Sequence, residues 1–204
     1  MMNISFCRRA LVTLGAFLIF SAGCASSKPA RFYTLAASGP SETKSLSDPS
    51  SHDLAIGIGP IVFPEYLDRP QIVTRAGRNE LKIAEFHRWA GSLQDEFCRA
   101  LAENLSALLS TDRVSIYPWK SFVPIDYQVD LYVTRFDGEI GGNIILSSRL
   151  SILGGKGKKV LLSKKSTFSE SAEDESYESL VAAQNRALAH LSVEIVKAII
   201  SLTQ

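Results

Sequence analysis

Trp89, Leu93, Phe97, Leu101, Leu105 and Leu109 recur every four residues, with Leu108 widening the stripe and Asp95, Glu96, Arg99 and Glu103 on other faces. This spacing predicts an amphipathic helix that must cover an apolar surface, and Ser92 is placed to cap its N-terminus. A second such helix is predicted at the end of the chain, where Tyr177, Leu180, Gln184, Leu188, Leu191, Ile195, Ala198 and Leu202 step at three and four. Neither helix can bury its stripe alone, so the rest of the chain has to supply a sheet.

The remaining segments carry strand patterns. Arg31 to Leu35 is a short β-like run. Leu54 to Phe63 is apolar and β-branched but broken by Gly57, Gly59 and Pro60, which predicts a strand with a bulge or bend. Gln71–Arg75 and Glu80–Phe86 flank Ala76-Gly77-Arg78-Asn79 as a hairpin. Val114–Trp119 follows the first helix as a strand. Tyr127, Val129, Leu131 and Val133 alternate onto one face, as do Ile144, Leu146, Leu150 and Ile152, and Val160, Leu162 and Phe168 mark a third member of this meander. Its turns fall at Gly138, Gly141, Gly142 and Asn143, and at Gly154-Gly155-Lys156-Gly157. Ala36 to Asp53, rich in Ser, Gly and Pro, reads as a flexible loop. The expected fold is α/β in the α+β sense: a single domain with a mixed or largely antiparallel sheet and both amphipathic helices packed on it.

The first residues are of another kind. Arg8 and Arg9 precede an apolar run of 11 residues, Ala10 to Phe20, too short for a bilayer core that needs about 20. It reads as an export signal. Ala22-Gly23-Cys24 resembles the bacterial lipobox, in which the chain is cut before a cysteine already carrying diacylglycerol, with Ser21 departing from the usual aliphatic residue. An ordinary thiol beside a plain signal-peptidase site is the other reading of Cys24. The expected organisation is residues 1–23 as signal peptide, 24–30 as lipidated cysteine and short tether, and 31–204 as the folded domain. Several acyl chains on Cys24 hold a protein durably at a membrane, and Ala25 after the cysteine directs it, by the sorting rule of enteric bacteria, to the outer membrane.

Removing residues 1–23 from the 204 leaves 181, enough for one well-filled core. The chain has 22 Lys and Arg against 21 Asp and Glu, and loss of Arg8 and Arg9 leaves the remainder one unit negative. That balance gives no electrostatic footprint for nucleic acid. Cys7 leaves with the signal and Cys24 takes lipid, so Cys98 stands alone without an intramolecular disulfide, reading as a small buried hydrophobe within the first helix. His52, His87 and His190 are scattered with no metal-ligand spacing.

The run Ile58-Gly59-Pro60-Ile61 through Pro64-Glu65-Tyr66-Leu67-Asp68-Arg69-Pro70-Gln71-Ile72-Val73-Thr74-Arg75, continuing to His87-Arg88-Trp89-Ala90 and Leu101-Ala102-Glu103-Asn104-Leu105, resembles the ABC-type transport auxiliary lipoproteins, the PqiC/YmbA-type family. The resemblance extends from Tyr33-Thr34-Leu35 to the terminal helix beginning Ser176-Tyr177-Glu178. It implies an outer-membrane lipoprotein on the periplasmic face, partnered by a periplasmic MCE-domain protein and its multi-pass inner-membrane partner in an intermembrane lipid-transport system. No cofactor is implied beyond the acyl chains on Cys24, and an oligomer of the chain itself is compatible with the role.

Tyr66, Leu67, Asp68, Arg69 and Gln71 carry the family motif and are the candidate partner-binding residues. Pro64 and Pro70 bracket a segment that cannot be regular helix. Asp68 and Arg69 either tie this loop to the sheet or offer charge-assisted bonds to a partner. Lys156, Lys158, Lys159, Lys164 and Lys165 load one hairpin, and Glu170, Glu173, Asp174, Glu175 and Glu178 precede the last helix. These either protect an edge strand and favour a helix N-terminus, or face another protomer or anionic lipid headgroups. The glycines from Gly154 lie between strands rather than opening a helix, so no phosphate loop is read there. The sequence carries no G-x-S-x-G or other nucleophile motif, so the reading is a non-enzymatic docking subunit, with a lipid carrier containing its own cavity, or a periplasmic hydrolase, as rivals.

Overall fold

The structure is a computed structural model and describes residues 28–37, 53–155 and 159–203. The elements run β1 (Arg31–Tyr33), β2 (Ile56–Val62), β3 (Gln71–Arg75), β4 (Leu81–Trp89), α1 (Leu93–Leu109), β5 (Val114–Ile116), β6 (Tyr127–Gly138), β7 (Asn143–Gly154), β8 (Val160–Ser171) and α2 (Tyr177–Thr203). The order of strands and helices is the one the sequence patterns predict, and the fold class is the expected α+β with two helices. The strands, however, divide into two sheets rather than one: β1-β4-β3 and β5-β2-β6-β7-β8. Both are mixed, since β1/β4, β2/β5 and β2/β6 are parallel while β3/β4, β6/β7 and β7/β8 are antiparallel.

Alternation along β7 puts Ile144, Leu146, Leu150 and Ile152 in the core, and Val129, Leu131 and Val133 of β6 lie beside them. Helix α1 packs over β2 and β5, α2 packs over β6, β7 and β8, and the helices touch each other. Asn104 Nδ2 donates to Ser192 Oγ at 3.2 Å, and Ser192 Oγ donates to the Leu188 carbonyl at 2.8 Å. The polar groups buried between the helices are thereby bonded rather than orphaned.

Three local outcomes differ in detail from the sequence reading. Trp89 ends β4 and does not lead the helix: Ser92 caps α1 by accepting the Asp95 N–H at 3.5 Å, so the helix begins at Leu93. The strand expected over Val114–Trp119 stops at Ile116, where the Tyr117 N–H bonds the Ile58 carbonyl at 2.9 Å and Pro118 follows. β6 runs on to Gly138, five residues beyond the alternating stretch, through a register shift between Val133 and Arg135. The expected break in β2 is present as a shift between Ile58 and Ile61. Gly59 there has φ +112°, and a Cβ would lie 2.9 Å from Tyr117 Cβ, so only glycine fits. At Gly155 a Cβ would meet the Ile125 carbonyl oxygen at 1.6 Å, which explains a glycine in the turn after β7. Among the described residues no helix is long and apolar enough to cross a membrane. Residues 38–52, 156–158 and Cys24 with the rest of residues 1–27 lie outside the described residues.

Candidate functional site

The loop between β2 and β3 is fastened from two sides. Pro64 and Pro70 leave room for one 3₁₀ turn, Glu65–Leu67, closed by the Leu67 and Asp68 N–H groups on the carbonyls of Pro64 and Glu65 at 3.0 and 3.1 Å. Leu67 drops into the core at 3 % exposure. Phe63, just before the turn, meets Phe97 edge-on at 5.1 Å, and Phe97 meets Phe136 in the same way at 5.4 Å, an arrangement favoured by the ring quadrupoles.

Tyr66 binds elsewhere. Its hydroxyl donates to Asp137 Oδ2 at 2.5 Å. Arg75 donates Nε to Oδ1 at 2.6 Å and Nη2 to Oδ2 at 3.3 Å, and Arg135 donates Nε to Oδ1 at 2.9 Å. Arg135 and Asp137 stand two apart on β6 and so share a face, opposite to that of Phe136. The register shift at Val133/Arg135 re-aims them in the way β-bulges do. Asp137 is 0 % exposed, and a carboxylate so placed needs its partners. Burial, with the hydrogen bond and charge of Asp137 behind it, pushes the Tyr66 phenol up to about 12, which keeps it a donor. The bond to Asp137 likewise raises Arg75 above its ordinary value. This cluster fixes the start of the motif to β3 and β6.

Asp68, Arg69 and Pro70 are left facing an open groove of about 450 Å³, completed by Phe32 on β1 and by Arg88 and Trp89 at the end of β4. Phe32 and Gln71 are both register partners of Arg88, so the three stand in one row on one face of the small sheet. The Trp89 N–H donates to the Pro70 carbonyl at 2.7 Å, and the Ala90 N–H to the Tyr33 carbonyl at 2.7 Å, locking the walls together. The five motif residues therefore divide: Tyr66 and Leu67 anchor the loop, while Asp68, Arg69 and Gln71 line or flank the groove. Phe32, Arg88 and Asp137 complete the arrangement. No local pattern marks Asp137, which lies past the alternating stretch of β6 and beyond the register shift at Val133/Arg135.

The other sequence candidates are dispersed. Cys98 is buried in α1, and burial, with the nearby Asp95 charge second, pushes its thiol up to about 11. Among the described residues no three His, Cys, Asp or Glu side chains are grouped to hold a metal. Lys164 on the edge strand β8 pairs with Glu194 of α2 at 3.3 Å, and Glu170 holds Arg186 at 3.3 Å and His190 at 3.1 Å, so part of the expected charge clusters is spent within the fold.

Known proteins share this architecture. A solved structure of an uncharacterized protein aligns with 84 % of this chain and 99 % of its own at TM-score 0.68 and 16 % identity. A solved protein from Xanthomonas campestris aligns with 81 % and 92 % at TM-score 0.65 and 17 % identity. Such identities show the fold alone. No curated protein matches the sequence. The family model for the ABC-type transport auxiliary lipoprotein component matches residues 33–196, from the last residue of β1 into α2 and across the motif loop, and the chain therefore belongs to the ABC-type transport auxiliary lipoproteins.

Proposed function

We propose that the protein is the outer-membrane-anchored accessory subunit of an MCE-type intermembrane lipid-transport complex, held on the periplasmic face by acyl chains on Cys24 and acting by docking rather than by catalysis. The observation that carries this reading is the family match over residues 33–196. It is supported by the Ala22-Gly23-Cys24 signal at the end of an apolar run. A filled interior, with Phe97, Leu101, Phe136 and Leu188 at zero exposure, supports docking over carriage in an internal cavity.

The test is purification of the tagged chain from membranes, with mass spectrometry of its N-terminus and of the proteins it brings along. The expected result is a mature chain beginning at acylated Cys24 together with an MCE-domain protein, and loss of Cys24→Ala from the outer-membrane fraction. Mature Cys24→Ala that still sediments with outer membrane, or wild type that brings no MCE-domain protein, overturns the reading.

A further inference from the structure

Four arginines of this fold are held in ion pairs. Arg75 and Arg135 hold Asp137, Arg99 holds Glu96 and Glu103, and Arg186 holds Glu170. Arg69 and Arg88 differ: both are half-buried, both line the groove, and the Nε of each is shielded from solvent without a hydrogen-bond acceptor among the described residues. A buried polar group without a partner calls for one. Two guanidiniums converging on one cleft present the planar forks that suit phosphoryl oxygens.

The surroundings narrow the ligand. Phe32, directly beside Arg88 in the register of β1 and β4, is 64 % exposed, and Pro70 and Trp89 continue the apolar wall. Asp68, exposed and without an ion pair among the described residues, supplies the third charge. Two arginines and one aspartate leave a single net positive charge, which matches a phosphodiester better than a dianionic phosphate or an acidic peptide. The groove also opens beside β1, where the chain arrives from Cys24. The seven residues from Cys24 to Ala30 span at most about 25 Å. A chain acylated at Cys24 therefore holds the groove near the headgroup layer.

We infer that the groove between the motif loop and the end of β4 binds the phosphodiester headgroup of a membrane phospholipid, with Arg69 and Arg88 on the phosphoryl oxygens and Phe32 against the glycerol and first acyl methylenes. The choice of a lipid rests on the membrane-anchored reading above, but binding in solution can be measured without either Cys24 acylation or a partner protein.

The experiment is native mass spectrometry of the full chain released from non-ionic detergent, titrated with dihexanoylphosphatidylglycerol, with inorganic phosphate and dihexanoylglycerol as separate arms. Wild type should take one saturable phospholipid and bind the other two at least tenfold more weakly. Arg69→Gln and Arg88→Gln should each weaken phospholipid binding about tenfold or more, and Arg78→Gln, on the far turn of the β3–β4 hairpin, should not. Phe32→Ser, which removes an exposed side chain and leaves the core intact, should lower affinity for the phospholipid, so the inference does not depend on an arginine variant that misfolds. Equal binding by wild type and the Arg69, Arg88 and Phe32 variants overturns the proposal. So does inorganic phosphate bound as tightly as the lipid. Unchanged lipid binding in Arg69→Gln and Arg88→Gln together with lost capture of the MCE-domain protein assigns the groove to a protein partner instead.

Discussion

Asp137 shows how one side chain governs the motif loop. It accepts from Tyr66, Arg75 and Arg135 with its own side chain fully buried, so its removal leaves two cations and a phenol stripped of their shared acceptor. Breaking a buried ion pair from one side costs about 3 to 5 kcal/mol, and Asp137→Ala is expected to lower stability by that amount in urea melts. Tyr66→Phe removes one hydrogen bond to a charged group, worth about 2 kcal/mol. Because both changes act on one network, the double variant should lose less than the two singles together; strict additivity would show that Tyr66 is not held by Asp137. Cys98 makes a contrasting residue-scale case. Its thiol is raised by burial first and the Asp95 charge second, and the thiolate is the reactive form. Native protein at pH 8 should react with iodoacetamide far more slowly at Cys98 than protein in denaturant, as followed by peptide mass mapping.

Helix α1 is where sequence pattern and packing agree most closely. Leu101 is fully buried while Glu103 lies outward and pairs with Arg99 at 2.8 Å. Leu101→Ala is expected to cost about 2 to 5 kcal/mol, and Glu103→Ala well under 1, since exposed i,i+4 pairs contribute little. Equal melting shifts would mean the buried face is misassigned. The same helix shows where pattern reading stops. Trp89 falls in the four-residue series and is buried like the rest, yet it belongs to β4, because periodicity cannot distinguish a strand residue that points into the same core. The capping serine could, and Ser92 marks the true start. The groove was half legible: Asp68, Arg69 and Gln71 stand in the motif itself, whereas Phe32 and Arg88 join them only through the pairing of β1 and β3 on either side of β4. The split into two sheets was not legible, since local alternation carries no record of which strand lies beside which. Asp137 escaped for the same reason, two of its three partners, Arg75 and Tyr66, being 62 and 71 residues away.

At the scale of the whole molecule, the small sheet must be coupled to the terminal helix if the end of the chain nearest Cys24 is to hold the rest in place. A stack of rings makes that link. The Tyr33 hydroxyl of β1 lies 2.8 Å from His87 Nδ1 of β4, and the His87 ring stacks on Tyr177, the first residue of α2, at 3.9 Å between centroids and 14° between planes. Burial first, and the positive charge of Arg31 second, lower the His87 pKa from its ordinary 6.5, so the folded protein prefers the neutral ring. The unfolded chain then takes up a proton at a higher pH than the folded one does. Stability from this residue is accordingly present above about pH 6.5 and is lost as pH falls through that value toward the lower folded pKa. His87→Gln removes both the stack and the titration. It should melt below wild type at pH 8, and the gap between the two should narrow steadily from pH 7 to pH 5 in thermal melts at constant ionic strength. A gap that stays constant over that range would show that His87 titrates alike in both states, and a gap that widens would mean the charged ring is the one the fold stabilises.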